Sequence, residues 1–339
     1  MSTHSGLRVP ADWEPRAATL LAWPGVESRD LQKQLVEFYC ELISVLRRHE
    51  PVWLLVPPDE KPAIAALLGG EDESLHLEPL LTNDLWMRDA APISALDQQG
   101  RTVFLDGNFN GWGGKYPHEL DRLIPNVLAR RLGIKRVGLP ITVEGGAIEV
   151  NDRGELLTTE SVLLNPNRNN PERDQVESVL QSFFGVERVH WLAGGLSGDD
   201  TDGHIDNLAR FVSPDRLVCI SPDLPANHPD RQVLADNHAR LQATQWGSGG
   251  VEIIELPLPE VIGRAGRRLP ASYANFHMAP GVVLVPQFGH NADHEALNVF
   301  ASVFSNDRVE GLDCRVLLEL GGSLHCISQP LRLEELPES

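Results

Sequence analysis

The sequence predicts an α/β fold built from a repeated helix–strand unit. Apolar residues recur at intervals of three and four over 31–48, and a short apolar strand follows at 52–56. The same order returns four more times, with helices predicted near 119–133, 172–185, 231–245 and 293–308 and strands at 137–143, 186–192, 251–256 and 314–320. Five units in one order indicate an internal repeat, so we expect one pseudo-symmetric domain over residues 1–339.

Turn sequences complete the predicted units. The segments 151–154, 213–216 and 279–281 lie between residues typical of strands and predict hairpins. Residues 1–30 are rich in Pro and Trp and are predicted to be irregular. An open doubly wound sheet would also fit the alternation of helices and strands. However, the sequence has neither G-x-G-x-x-G nor a Walker loop after the first strand.

Composition limits the partners of the chain. A formal net charge of -19 argues against a nucleic-acid or anionic-membrane surface and favours a small cationic ligand. No apolar run approaches the ~20 residues of a membrane span, and no signal peptide is recognised. The four cysteines contain no C-x-x-C pair, so neither a disulfide framework nor a zinc knuckle is indicated. We expect a soluble cytoplasmic protein, with homo-oligomerisation left open.

Three predicted strands end in a Gly-Gly pair, at 145–146, 194–195 and 321–322. Glycine pairs permit unusual backbone angles and close approach of the backbone to other groups. Three tight turns would explain the pairs equally well. Because polar residues follow each pair, three strand ends converging on one small site is the alternative that concerns function.

A histidine and a thiol are the candidate reactive groups. If 204–212 is a strand, His204 and Asp206 share one face of it. Cys326 follows the last Gly-Gly, but its neighbour His325 would point to the opposite face of an extended segment. A catalytic Cys326 therefore needs a histidine from elsewhere, and His204 is the natural candidate. The other cysteines fit buried hydrophobic positions, as Cys326 itself could.

Three carboxylates suit a planar cation. Asp89 follows Trp86 closely, which joins a carboxylate to an aromatic face, although a turn residue and a core residue are the structural alternatives. Asp89 and Asp206 could grip a guanidinium by bidentate bonds and leave its central carbon open to a thiolate. Glu144 would need a cation or a histidine if buried, and a contact with His204 would serve both.

A metal centre is the competing interpretation of the acidic loop at 198–207. Neither register of this loop places a glycine at the sixth position of an EF-hand. A His-x-Asp pair could bind zinc or manganese, but no H-E-x-x-H accompanies it. A protein that binds guanidines or polyamines without turnover is a further alternative, although such a protein has no need of Cys326.

The chain resembles the agmatine deiminase/bacterial-type peptidylarginine deiminase family of the guanidino-group-modifying superfamily, from about residue 13 to residue 329. The segments that carry the resemblance are Trp86-Met87-Arg88-Asp89, Asn108-Phe109-Asn110-Gly111-Trp112-Gly113-Gly114-Lys115, Glu144-Gly145-Gly146-Ala147-Ile148, Asn165-Pro166-Asn167-Arg168-Asn169, residues 198–207, Leu269-Pro270-Ala271-Ser272-Tyr273-Ala274-Asn275-Phe276 and Gly321-Gly322-Ser323-Leu324-His325-Cys326. The resemblance implies a five-bladed α/β propeller of the pentein type.

The resemblance also implies roles for the residues already singled out. It assigns Cys326 as nucleophile, His204 as general acid/base, Asp89 and Asp206 as guanidinium clamps, Glu144 as a partner of His204 or the substrate, and Trp86 as a pocket residue. The implied reaction needs no cofactor and no metal, and converts agmatine to N-carbamoylputrescine and ammonia through a covalent cysteine intermediate. Free or peptidyl arginine is the alternative substrate. The loop at 108–115 is expected to cover the distal end of the substrate, and Asp202 departs from the sequence of some members.

Overall fold

A computed structural model describes residues 6–25, 31–247 and 249–333. The strands are β1 (Ala18–Ala22), β2 (Val52–Val56), β3 (Leu75–Pro79), β4 (Ile93–Leu96), β5 (Thr102–Asp106), β6 (Lys135–Gly138), β7 (Glu149–Val150), β8 (Glu155–Thr159), β9 (Arg188–Leu192), β10 (Ala209–Ser213), β11 (Arg216–Ile220), β12 (Glu252–Leu256), β13 (Val261–Ile262), β14 (Arg268–Leu269), β15 (His277–Ala279), β16 (Val282–Gln287), β17 (Arg308–Asp313) and β18 (Gln329–Leu331). The helices are α1 (Gln32–Leu46), α2 (Lys61–Leu68), α3 (Met87–Ala90), α4 (Gly111–Gly114), α5 (Ile124–Leu132), α6 (Glu160–Leu163), α7 (Arg173–Phe184), α8 (Arg231–Ala243), α9 (Asp293–Val303) and α10 (Arg315–Leu318).

Four sheets share one strand arrangement: β4-β5-β6, β7-β8-β9, β10-β11-β12 and β15-β16-β17. In each, the first two strands pair antiparallel, and the second and third pair parallel. At least one helix connects the parallel strands, because a parallel pair requires a crossover connection. The pair β13-β14 is a separate small hairpin.

The fifth large sheet joins the two ends of the chain. Its order is β18-β1-β2-β3, and β18 pairs antiparallel with β1 while β1, β2 and β3 are parallel. Ala18 lies opposite Leu331 in this ladder. The antiparallel strand that each other sheet takes from its own hairpin is therefore supplied here by the C-terminal part of the chain.

The five predicted helices are confirmed by α1, α5, α7, α8 and α9. Each of them buries one face, whose residues recur at helical spacing. In α1, for example, Leu35, Phe38 and Leu42 are buried on one side. The predicted hairpins at 151–154, 213–216 and 279–281 are confirmed by the pairs β7-β8, β10-β11 and β15-β16. The strands predicted at 52–56, 186–192 and 251–256 correspond to β2, β9 and β12.

Three predictions were wrong at the level of elements. The run at 314–320 contains α10, not a strand, and the strand of that unit is β17 just before it. A short apolar run fits a buried helical turn as well as a strand, and here it buries Leu317 and Leu318. The strand predicted at 137–143 ends at Gly138, because Pro140 cannot donate to a ladder.

The third error concerns residues 1–30, which were predicted to be irregular. Residues 18–22 form the fully buried strand β1, and residues 1–5 and 26–30 lie outside the described residues. None of the helices in the described part of the chain has the length and hydrophobicity needed to cross a lipid bilayer. The single domain over 1–339 stays a prediction.

Candidate active site

Three of the predicted side chains meet around one glycine. A Cβ atom placed on Gly146 would lie 2.5 Å from Nδ1 of His204, 2.9 Å from Oδ1 of Asp89 and 3.1 Å from Oδ2 of Asp206. A side chain at position 146 would therefore displace these groups, and glycine lets all three approach the backbone. The backbone of Gly146 also donates a 3.0 Å hydrogen bond to Oδ1 of Asp89. The structure thus brings the histidine and both predicted clamps to one buried point.

Cys326 borders the same point. Its Sγ lies 3.8 Å from Oδ2 of Asp206 and receives a 3.1 Å hydrogen bond from Nδ2 of Asn275. The carbonyl of Cys326 accepts from the amide of Arg88, which ties the segment that carries the thiol to helix α3 and hence to Asp89. Asn275 was quoted only as part of a motif in the sequence, and its contact with the thiol was not predicted.

Trp86 packs beside the thiol. A Cβ on Gly322 would lie 2.3 Å from the Trp86 ring and 3.2 Å from Cβ of Cys326, so the indole occupies the space that glycine leaves. Two of the three Gly-Gly pairs therefore border the site. The third pair contacts the backbone of Gly203, the residue before His204, and the atoms nearest to its added Cβ atoms belong to none of the site side chains.

The strand predicted at 204–212 is wrong in its first half. Residues Ile205–Asn207 form a 3-10 turn, and β10 begins only at Ala209. The backbone carbonyl of Asn207 accepts from the Ser272 hydroxyl instead of from a neighbouring strand. Its side-chain oxygen accepts from Nδ2 of Asn275. His204 and Asp206 reach the same site through this turn, and not through one face of a strand.

Of the two partners expected for a buried Glu144, a cation or a histidine, the structure provides the cation. Its Oε1 accepts a 2.7 Å hydrogen bond from Nε of Arg168, and both side chains are fully buried. Its Oε2 lies 3.9 Å from Nε2 of His204, which is too long for a hydrogen bond. Arg168 also contacts Asp202, so the position at which this sequence departs from some relatives holds the same arginine.

The loop at 108–115 covers the carboxylate of Asp89. The indole of Trp112 donates a 2.9 Å hydrogen bond to Oδ2 of Asp89. The backbone of Trp112 lies in the left-handed region, with φ 54°. The next turn fastens the loop to the acidic loop, since Lys115 pairs with Asp202 at 2.6 Å and Tyr116 donates to Asp200 at 2.8 Å.

Burial shifts the pKa values of the side chains around Gly146 towards their neutral forms. It raises the pKa of Asp89 to about 6, against the hydrogen bonds from Trp112 and Gly146 that lower it. Burial raises the pKa of Asp206 well above its usual range, and the neighbouring Asp89 raises it further. Burial also lowers the pKa of His204.

The thiol follows the same rule. Burial, then the charges of Asp206 and Asp89, raise the pKa of Cys326 well above that of a free cysteine. The empty site therefore favours a neutral thiol. A cation placed between these carboxylates would reverse this preference, because it offsets the charges that oppose the thiolate.

The ring of His325 lies between two carboxylates, that of Asp206 in the site and that of Asp12 outside it. Its Nδ1 lies 2.8 Å from Oδ2 of Asp206, and its Nε2 lies 2.9 Å from Oδ2 of Asp12. Asp12 also receives Nη2 of Arg210 at 2.7 Å and pairs with Arg88 at 3.4 Å. As predicted, His325 makes no pair with the adjacent thiol, but its bond to Asp206 was missed.

No metal cluster is seen in the ranges 6–25, 31–247 and 249–333, where no group of three or more His, Cys, Asp and Glu side chains is placed to hold an ion. The side chains around Gly146 instead present carboxylate oxygens next to a thiol and a tryptophan ring. This set can bind a planar cation and supply a nucleophile.

The comparisons with known proteins agree with this chemistry. The family model described as Porphyromonas-type peptidyl-arginine deiminase matches residues 8–331. The chain belongs to this family and, with it, to the hydrolases that act on C–N bonds of guanidino groups.

Individual relatives cover nearly the whole chain. A Legionella pneumophila protein named "Putative agmatine deiminase" is 31% identical over 333 residues, which are 96% of this chain and 95% of the relative. The solved agmatine deiminase of Enterococcus faecalis has a TM-score of 0.87 and 25% identity, covering 97% of each chain. A crystal structure described as a putative peptidyl-arginine deiminase has a TM-score of 0.90 and 30% identity, covering 97% of this chain and 99% of its own.

Proposed function

We propose that this enzyme hydrolyses agmatine to N-carbamoylputrescine and ammonia through a covalent bond to Cys326. The observation that carries the proposal is the convergence of Asp89, Asp206 and His204 on Gly146, with Sγ of Cys326 3.8 Å from Asp206. Two carboxylates around one point suit a guanidinium, which can donate paired N–H bonds to a carboxylate along more than one of its edges. The names of the relatives support agmatine as the substrate.

The reaction assigns one task to each group. Asp89 and Asp206 hold the guanidinium, and the thiolate of Cys326 attacks its central carbon. His204 takes the proton that the Cys326 thiol loses, gives it to the departing ammonia, and then takes a proton from the water that hydrolyses the amidino-thioester. Glu144 acts near His204 through its second oxygen at 3.9 Å, with Arg168 fixing its orientation. Trp86 lines the pocket beside the thiol.

A small substrate is favoured over a polypeptide. Cys326 is only 6% exposed, and the loop that carries Trp112 lies over Asp89. The formal net charge of -19 favours an amine tail over a carboxylate tail. Free and peptidyl arginine remain the alternative substrates, since the family description refers to peptidyl-arginine.

The arrangement of the five large sheets supports a further part of the proposal. The strand order shared by four of these sheets, and the pairing of β18 with β1 in the fifth, are those expected of a five-bladed α/β propeller in one domain. A cytoplasmic location, the absence of cofactor, metal and nucleic-acid partners, and the open question of homo-oligomerisation stay at the level of prediction.

The test is to incubate the purified protein with agmatine and to measure ammonia and the ureido product. We expect turnover in the wild type and none in Cys326→Ala. Cys40→Ala serves as a matched control because Cys40 lies on α1, away from the site, and should retain activity. Turnover that survives Cys326→Ala would refute the covalent route, and preference for arginine over agmatine in a substrate panel would refute the choice of tail.

A further inference from the structure

The feature that the proposed reaction leaves unused is the buried chain Asp206–His325–Asp12. Both ring nitrogens of His325 lie within hydrogen-bond distance of a carboxylate, at 2.8 Å to Asp206 and 2.9 Å to Asp12. A neutral imidazole has one N–H and can donate to only one of them. The other contact then needs a second proton, either on the ring or on a carboxylate. The three groups therefore share two protons.

The surroundings decide where the second proton rests. Although burial opposes it, Arg88 and His325 hold the pKa of Asp12 well below its usual range. Burial, then Arg210 and Arg88, lower the pKa of His325. Asp206 has the raised pKa described above, so in the empty site we place the second proton on Asp206 and a neutral ring between it and the carboxylate of Asp12.

The charged groups that face this chain come from several elements. They are Asp89 and Arg88 on α3, Arg210 on β10, Asp199 in the acidic loop, Cys326 beside the ring, Glu149 on β7, and Arg16 and Arg332 near Asp12. Glu149, whose pKa burial raises to about 7, pairs with Arg210 at 3.3 Å. Arg88 and Arg210 act on both Asp12 and Asp206, and Asp206 also faces the carboxylates of Asp89 and Asp199.

Binding of a guanidinium disturbs this arrangement. A protonated Asp206 can still accept at Oδ1, which has no partner, but it carries no charge, so loss of the proton on Oδ2 converts it into the stronger, charge-assisted clamp of a guanidinium. Solvent has poor access, because Asp206 is fully buried and the bound cation would fill the space around Gly146. Nδ1 of His325 is the base already in contact with the oxygen concerned.

We propose that His325 accepts the proton of Asp206 when a guanidinium binds, and that Asp12 stabilises the resulting imidazolium. The O–H bond at Oδ2 of Asp206 breaks, an N–H bond forms at Nδ1 of His325, and the electron pair stays on the carboxylate, which becomes the clamp. Asp12 and His325 are positioning residues in this scheme, because they act on the substrate through Asp206. The inference rests on the proposed function only in requiring a cation between Asp89 and Asp206.

Asp12 also places this chain within reach of solvent from behind. Its side chain is 15% exposed and lines a cavity of about 420 Å³ together with Arg16, Met278 and Phe304. An ionised carboxylate at this wall keeps part of its hydration while it faces the imidazolium. It can therefore carry the charge that the deeply buried Asp206 cannot easily carry when the site is empty.

The direct test is the nitrogen NMR of histidine rings in protein labelled with ¹⁵N-histidine. The Cys326→Ala variant is recorded alone, with agmatine and with guanidinium ion at millimolar concentration, and His325→Gln identifies the signals of the ring. We expect a neutral ring in the free protein and an imidazolium in both complexes. A ring that stays neutral with ligand bound, or that is already charged in the free protein, would overturn the proposal.

The kinetic test is the pH dependence of kcat/KM. In the wild type the acid limb should follow Asp89, whose carboxylate is protonated below about pH 6, so kcat/KM falls as the pH falls through that value. In Asp12→Asn the proton of Asp206 has to leave to solvent, so the limb should move up by about one pH unit or more. At pH 6 kcat/KM would then fall about fivefold or more, with a smaller loss on the alkaline plateau.

Glu14→Gln is the matched control, because it removes a carboxylate two residues away that pairs with Arg8. Its limb should stay in place. An equal loss of kcat/KM at every pH in Asp12→Asn would mean a merely structural role and would refute the proposal. The two hypotheses fail separately, since absence of ammonia from agmatine refutes the function, whereas the guanidinium-induced change at His325 can still be observed.

Discussion

At the scale of single residues, the buried ion pair of Arg168 and Glu144 contributes to both the stability of the fold and the geometry of the site. Both side chains have no exposed surface, and the guanidinium satisfies Glu144, Asp202 and the Thr201 carbonyl together. Removing one partner of such a pair leaves an uncompensated charge in the interior. The arginine therefore holds the Glu144 end of the site in place as well as stabilising the molecule.

We predict that Arg168→Met lowers the free energy of unfolding by about 3–5 kcal/mol. Urea denaturation measures this loss. Arg101→Met is the matched control, because its pair with Asp97 is on the surface and its arginine side chain is 66% exposed. That variant should lose less than about 1 kcal/mol. Similar losses in the two variants would contradict the role given to burial.

The residues predicted from sequence share one property. Asp89, Glu144, His204, Asp206, Cys326 and Trp86 all stand in short motifs where unusual chemistry is concentrated within a few positions. Asp12 is different, because it lies 313 residues from His325 and no local pattern joins the two. Arg168 was quoted in a motif but without its partner. Pairing across such separations depends on the tertiary fold, which a single sequence does not display.

At the scale of elements, the turn Gly145–Ala147 places a bare backbone in the middle of the site. The sequence predicted that three Gly-Gly pairs end strands, but only the pair at 194–195 closely follows one, β9; the pair at 145–146 is the one around which the side chains gather. Local patterns also predicted the long helices, because each buries one regular face. They failed for 204–207 and 314–320, where bonds from distant segments or burial of a short apolar run decided the conformation.

We predict that Gly146→Ala reduces kcat/KM for agmatine by about 100-fold or more, because the added methyl displaces His204, Asp89 and Asp206 from their common point. Steady-state kinetics measures the loss. Gly138→Ala is the control, since a Cβ there meets nothing within 4 Å, and its activity should be unchanged. Normal activity in Gly146→Ala would show that the three groups are not used together.

At the scale of the whole molecule, the pairing of β18 with β1 brings the ends of the described chain together. The amide of Ala17 donates to the carbonyl of Leu331, and Arg332 binds carbonyls of residues 11, 14 and 15. Five repeated units predicted the α/β class from sequence, but the strand that completes the first sheet was not foreseen. It comes from the far end of the chain, beyond the reach of any local pattern.

We predict that a circular permutant folds and remains active when residue 339 is joined to residue 1 and the chain is opened between Gln99 and Gly100. That turn is exposed and lies between β4 and β5. Circular dichroism, thermal unfolding and the agmatine assay would check it. Deletion of residues 329–339, which removes β18, should instead give an unstable protein. A permutant that fails to fold would contradict the proposed closure.

The late position of β18 has a consequence for biosynthesis. Translation runs from the N-terminus, so β1 at residues 18–22 is synthesised long before its antiparallel neighbour β18 at residues 329–331. Throughout that interval one edge of the first sheet is unpaired, and unpaired edges are prone to aggregation. Cys326 lies three residues before β18, so the proposed nucleophile and the strand that completes the first sheet leave the ribosome almost together. A nascent chain thus acquires its reactive thiol only when the surrounding structure is ready to close.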